Sequence, residues 1–148
     1  MLILYIDSRE QKPLSFESNL IHSIQRTKLP YGDYACSVNG KKCPIIFERK
    51  SIGDLFGTLG KNIERFKKEI ERSKESGNLL VIIVEKPLKT VIKGYQRSKM
   101  KGIAVVRTLF TLMLKHHIPF VLCSDRKEME LYITETFNSW GKLKENVR

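Results

Sequence analysis

Apolar residues come in short blocks along this chain, separated by charged stretches, and the spacing inside each block predicts an element. "LILYI" (2–6) is a compact apolar run that predicts a buried strand ending at Asp7. Over residues 14–28, Leu14, Leu20, Ile21 and Ile24 suggest a helical stripe, stopped by Leu29-Pro30. "YACSVNGKKCPIIFE" (34–48) holds Asn39-Gly40 between two strand-like arms, a strong hairpin signal. Ser51 reads as the N-cap of a helix starting near residue 52. Residues 61–76 put Ile63, Phe66 and Ile70 on one face and mostly charge elsewhere, which predicts a surface helix ended by Gly77-Asn78. "LLVIIVE" (79–85) is continuously apolar, as in a central strand covered on both faces. A broadly apolar helix over 99–117, a strand over 118–123 and a closing helix over 125–140 complete the chain. Strands alternate with helices, so the fold class is α/β with a mixed central sheet flanked by helices.

The hairpin carries the chemistry. A two-residue turn at Asn39-Gly40 pairs Val38 with Lys41 and sets Asp33 opposite Ile46. Cross-strand partners share a face, and so do alternate residues of one strand. Asp33, Ile46, Glu48 and Lys50 then point the same way, Glu48 diagonal to Asp33 at about 7–8 Å between Cβ atoms. Arg49 points to the other side. Gly32 lets the backbone turn tightly before Asp33. Pro44 cannot donate to the ladder, and a one-residue bulge there would turn Glu48 to the opposite face.

Two carboxylates at that separation can close on one divalent cation, and hard oxygen ligands suit Mg2+ or Mn2+, which also bind phosphate oxygens. A lysine beside them can orient a bound water or offset charge on a phosphate. Without that context, Glu48 and Lys50 read as a solvated strand end and Asp33 as a turn residue. "SIGD" (51–54) fits a capping pattern, so Asp54 reads either as a helix-capping acid or as part of the site. Asp7, at the carboxyl end of the first strand, is another acidic candidate, with Arg9 placed to pair with a site carboxylate.

Composition narrows the partner. The chain has 148 residues, with 27 Lys+Arg against 16 Asp+Glu and a formal net charge of +11. This suits one domain and a polyanionic partner, of which nucleic acid is the commonest. Three cysteines with no CxxC argue against a disulfide framework or a structural zinc site and fit a reducing, intracellular setting. The N-terminus turns polar too early for a signal peptide or membrane span. No Gly-rich loop followed by Lys-Ser or Lys-Thr is present, which argues against nucleotide hydrolysis.

"YIDSRE" (5–10), "GDY" (32–34) and "ERKSIGD" (48–54) together resemble the GD…ERKxxxD pattern of XPF-type structure-specific endonucleases, a family that includes eukaryotic XPF and the nuclease domain of archaeal Hef. "LLVIIVEK" and "SKMKGIAVVRTLFTLMLKHHIPFVLCSD" extend the likeness over nearly the whole chain. The resemblance implies a restriction-endonuclease-like core. It also implies Mg2+- or Mn2+-dependent DNA phosphodiester hydrolysis near flaps, forks or splayed arms, in repair or recombination. By position it makes Asp33 and Glu48 the metal ligands and Lys50 the catalytic lysine, with Asp7, Arg49 and Asp54 completing the site. Family members usually carry a tandem helix-hairpin-helix domain after the nuclease. Residues 1–148 read as the nuclease domain alone, with neither that module nor a helicase: either a piece of a longer protein or a stand-alone nuclease, whose own basic surface would then do more of the DNA gripping. The family also has a glutamine near the position of Arg65, where this chain is basic. The alternative is a non-catalytic DNA-binding or scaffold subunit on the same fold; the presence of Asp33, Glu48, Lys50 and Asp54 favours an enzyme. A nuclease acting on RNA or plain duplex is a third possibility. The setting would be cytoplasm or nucleoid in a prokaryote or virus, and the nucleus in a eukaryote.

Two stretches are candidates for DNA contact. The 61–76 helix carries Lys61, Arg65 and Lys68 among interleaved acids, so a salt-bridged solvated face is the competing reading. Residues 88–101 carry Lys93, Arg97, Lys99 and Lys101 with no acid, and are the better phosphate-binding candidate. The helix around 100–117 is apolar on more than one face, so either the fold buries it alone or a second copy covers it. The resemblance supports a homodimer through this helix.

Overall fold

The computed structural model describes residues 1–146. A seven-stranded mixed sheet forms the centre, built from β1 (Leu2–Asp7), β2 (Ile21–Thr27), β3 (Tyr34–Val38), β4 (Lys41–Lys42), β5 (Ile45–Lys50), β6 (Leu79–Val84) and β7 (Phe120–Leu122). The spatial order is β2-β1-β3-β5-β6-β7, with the short β4 paired to β3. β1 runs parallel to β2 and antiparallel to β3; β5, β6 and β7 run parallel. Four helices lie on one face: α1 (Ile52–Leu59), α2 (Ile63–Glu75), α3 (Leu88–Lys93) and α4 (Gly102–His116). The fifth, α5 (Arg126–Asn146), covers the other. Among the described residues no helix is long and apolar enough to cross a membrane.

The sheet separates two cores, and strand alternation assigns residues to them. Ala35, Ile46, Leu80, Ile82 and Val84 face α1, α2 and α4. Leu4, Tyr34, Phe47, Val81 and Ile83 face α5, where the Phe47 and Phe137 rings meet edge-on at 5.3 Å. β6 is buried on both sides after Leu79, as its continuous apolar run requires.

Two expectations are corrected. Residues 21–27 form a strand rather than the end of a helix, paired parallel to β1 at the sheet edge and largely exposed. Leu14 is buried on its own, in irregular chain, with its N–H donated to the Tyr34 hydroxyl at 2.8 Å. Of the four apolar residues in helical spacing, Leu14 anchors a loop, Ile21 and Ile24 lie in the edge strand, and Leu20 is exposed in the turn before it. The 88–101 segment also begins as a helix, α3, and only its second half is a loop.

The hairpin register matters most. Val38 pairs with Lys41 and Ser37 with Lys42, as the Asn39-Gly40 turn dictates. Cys43 still follows that register, its N–H donating to the Cys36 carbonyl at 3.0 Å. Further on, Tyr34 pairs with Phe47, a slip of two residues from the expected Tyr34–Ile45 pairing. The slip falls at Pro44, whose carbonyl turns to accept from the Leu79 N–H at 2.7 Å. A one-residue slip would reverse every side chain, whereas a two-residue slip leaves each on its face. Asp33 therefore moves from diagonal to directly beside Glu48.

α4 buries Val105, Val106, Leu109 and Leu112 but leaves Ile103, Phe110 and Leu114 exposed. Phe110 packs edge-on against Phe120 of the edge strand β7 at 5.2 Å. The fold thus covers only one side of this helix.

Arg49 ties the α5 face together. It donates to Glu10 from Nε at 3.1 Å and from Nη2 at 2.8 Å, with both side chains about nine-tenths buried, and lies 3.8 Å from Glu85. Arg126 of α5 joins Glu85 at 3.0 Å. Breaking a buried pair strands a charge in a poorly solvated place. Glu10→Ala should therefore destabilise the fold by about 3–5 kcal/mol, measured as a shift in denaturant midpoint at constant slope. A change below about 0.5 kcal/mol would place the pair with ordinary surface contacts.

Candidate active site

Three charged side chains end β5 because alternation splits them. Phe47 and Arg49 go to the α5 face, while Ile46, Glu48 and Lys50 go to the α1–α2 face. Glu48 and Lys50 pair at 3.2 Å, and both side chains are mostly buried. The Lys50 ammonium also sits over the Phe66 ring of α2, 5.8 Å from its centre. Beside them, Asp33 is held by backbone. Its N–H donates to the Phe47 carbonyl at 2.8 Å, and its Oδ2 accepts from the Arg49 N–H at 2.7 Å. Gly32 makes this turn possible. Its φ is +74°, and a Cβ there would lie 2.3 Å from Ile46 Cγ2.

Burial and nearby negative charge act on the two acids. Glu48 is pushed up to about 8 by burial first and the Asp33 charge second, with Lys50 pulling back. Asp33 is pushed up to about 6 by burial first, opposed by the Arg49 amide. This is a carboxylate pair with too little positive charge beside it. Its hard oxygens fit a Mg2+-type ion, which needs one or two carboxylates and fills its remaining positions with water and phosphate. Among the described residues no three His, Cys, Asp or Glu side chains form a ready cage.

The other predicted residues are placed as follows. Asp7 lies at the same end of the sheet, but its carboxylate is engaged. It accepts from Arg9 Nε at 3.0 Å, from Arg9 Nη2 at 3.2 Å and from the Leu29 N–H at 2.9 Å. Its own N–H donates to the Asp33 carbonyl at 2.9 Å, so it braces the turn that carries Asp33. Arg49 gives the site its backbone amide, while its guanidinium lies on the opposite face. Asp54 is exposed in the first turn of α1, where its N–H donates to the hydroxyl of Ser51, the N-cap, at 3.2 Å. Among the described residues no hydrogen bond or ion pair joins its carboxylate to Asp33, Glu48 or Lys50.

Lys50 opens onto a cleft of about 270 Å3 lined by Thr58, Asn62, Arg65, Phe66 and Glu69. Asn62, Arg65, Phe66 and Glu69 form one face of α2 by helical spacing. Lys61, Arg65 and Lys68 are exposed. Lys93, Arg97, Lys99 and Lys101 are exposed too, and Lys93, Lys99 and Lys101 line a larger hollow of about 580 Å3 between α3 and α4. Tyr95 anchors that loop, its ring tilted against Phe56 of α1 at 5.9 Å. Sequence reasoning missed Glu69, reading it as an interleaved surface acid. The signal was its place in the 66, 69, 70, 73 stripe that faces the sheet.

This sheet, with its acidic pair and lysine at the end of a central strand, is the restriction-endonuclease-like nuclease fold. Residues 6–136 match the ERCC4 domain family, and the chain belongs to it. It is similar to the structure of XPF from Aeropyrum pernix, with 24% identity and a TM-score of 0.69 over 98% of this chain and 66% of that one. A structure titled as XPF from Aeropyrum pernix in complex with DNA matches with 25% identity and a TM-score of 0.67, over 100% of this chain and 67% of that one. The chain thus spans about two thirds of the solved structures it matches. No curated protein sequence matches it.

The raised Glu48 pKa has a consequence in the metal-free protein. The folded state holds a proton that the unfolded state releases above its ordinary value of 4.5. Metal-free stability should fall as pH rises between that value and about 8, and the fall should be shallower in Glu48→Gln. Identical stability–pH curves for the two proteins would remove the strain assigned to this pair.

Proposed function

We propose that this chain is a divalent-metal-dependent DNA endonuclease domain that hydrolyses phosphodiester bonds at branched structures, such as flaps, forks or splayed arms. The observation that carries this reading is the Glu48–Lys50 pair at 3.2 Å on one face of the sheet, with Asp33 beside Glu48 and Lys50 opening onto a cleft of about 270 Å3. Family membership supports nuclease chemistry, and the net charge supports a polyanionic substrate.

Asp33 and Glu48 would hold Mg2+ or Mn2+. Such an ion, when bound, supplies Lewis-acid stabilisation of the charge that grows on phosphate and a more acidic water. The chain's own residues do the rest. The Arg49 and Phe47 backbone groups fix Asp33 so that no reorganisation is needed when the site fills. Lys50, fixed by Glu48 and the Phe66 ring, presents an ammonium to the scissile phosphate and can order the attacking water. Arg65 at the cleft mouth, with Lys61 and Lys68, meets phosphates on one side; Lys93, Arg97, Lys99 and Lys101 meet them on the other. None of these groups reads base edges, so selection would rest on the shape and flexibility of the strand entering the cleft. The exposed apolar face of α4, continuous with Phe120, supports a homodimer about a two-fold axis.

Asp33→Ala and Glu48→Ala should each reduce cleavage by about 100-fold or more while leaving DNA binding largely intact, and EDTA should abolish cleavage by the unaltered protein. Wild-type-like cutting by either variant, or undiminished cutting in EDTA, would defeat the assignment. Labelled flap, fork, nicked duplex, single-strand and RNA substrates test selectivity; equal rates on all would remove the branched-substrate reading. Phe110→Glu should turn a dimer into a monomer in sedimentation, and an unchanged dimer would place the interface elsewhere.

A further inference from the structure

α2 contributes one acid that the cleavage site, as assigned above, does not use. Glu69 follows Phe66 by three residues, so it shares the inward-facing side of α2 rather than the solvated one. Its carboxylate reaches the sheet, where Oε1 accepts from the Gly32 N–H at 3.4 Å. Gly32 is the residue whose positive φ aims Asp33. Glu69 also lines the cleft onto which Lys50 opens.

Charge gives this position its meaning. Glu69 reaches from α2 to the turn that carries Asp33, and it shares the cleft with Lys50, the ammonium paired with Glu48. Arg9, the next cation, is committed to Asp7. Arg65 is exposed at the mouth, where an incoming phosphate would compete for it. The acids at this end of the sheet outnumber the buried ammonium, an imbalance that a divalent cation would relieve.

We infer that Glu69 is a positioning residue of the cation site, acting from across the cleft in two ways: it anchors the Gly32–Asp33 turn to α2, and its charge accepts hydrogen bonds from water held around the ion. It is assigned no direct-ligand role: among the described residues no three His, Cys, Asp or Glu side chains form a ready cage. Acids in this outer position orient the inner ligands and hold the solvation shell, and their loss commonly costs about 10–100-fold in metal affinity. The inference rests on the Asp33–Glu48 assignment and deepens it.

The two roles separate by substitution. Glu69→Gln keeps an acceptor for the Gly32 N–H and loses only the charge; Glu69→Ala loses both. Mn2+ binding is read without DNA or turnover, from the electron paramagnetic resonance signal of free Mn2+, alongside a thermal melt. The unaltered protein should bind one Mn2+ per chain, and Glu48→Gln should bind far more weakly. Glu69→Gln should weaken Mn2+ about 10-fold with its melting temperature unchanged or raised, and Glu69→Ala should weaken it further. Wild-type Mn2+ affinity in Glu69→Gln, while Glu48→Gln fails, would overturn the role of Glu69 alone. Equal Mn2+ affinity in the unaltered protein and Glu48→Gln would overturn the underlying site as well.

Discussion

The strict alternation of side chains along Glu48, Arg49 and Lys50 governs everything else in this molecule. One strand end delivers a carboxylate and an ammonium to one face and a guanidinium to the other. On its own face Arg49 is neutralised by Glu10 and Glu85, which lets a charged strand end stay well packed against α5. On the opposite face, Glu48 and Lys50 are only partly matched once Asp33 is added. The charges are matched on one side of the sheet, and an incompletely matched acidic pair is left on the other. The backbone links the two sides, because the amide of Arg49 holds the carboxylate of Asp33.

The hairpin shows how this arrangement survives an imperfection. Pro44 cannot sustain the ladder, and the register slips by two residues across it. An even slip preserves facing and brings the two acids closer than an uninterrupted hairpin would. The same turn needs Gly32, the brace from Asp7 and the contact from Glu69, so three separate elements converge on the placing of one carboxylate. Such over-determination is what a preorganised charge site requires.

Much of this was legible in the residues themselves. β6 and the stripes of α2 and α4 follow directly from apolar spacing, and the capping of α1 by Ser51 from its local pattern. β2 was not legible, because an exposed edge strand with only Ile21 and Ile24 as large apolar residues has no alternation to read, and its partner β1 is distant in sequence. The two-residue slip was hidden because hydrophobic pattern fixes which way residues face, not how far a strand has shifted by an even count. Glu69 was hidden because a charged residue at a sheet-facing helix position looks, in one dimension, like its solvated neighbours Glu64 and Glu71. What Asp7 meets was only partly legible: its ion pair with Arg9 is local, whereas its backbone contact with Asp33 joins segments distant in sequence.

The most direct test of the central claim is an anomalous-scattering measurement on crystals of this chain grown with Mn2+. The account predicts one strong Mn2+ peak per chain between the carboxylates of Asp33 and Glu48, with the Lys50 ammonium and the Glu69 carboxylate facing it across water. A fully occupied Mn2+ peak elsewhere on the chain, with that position empty and open to solvent, would contradict it.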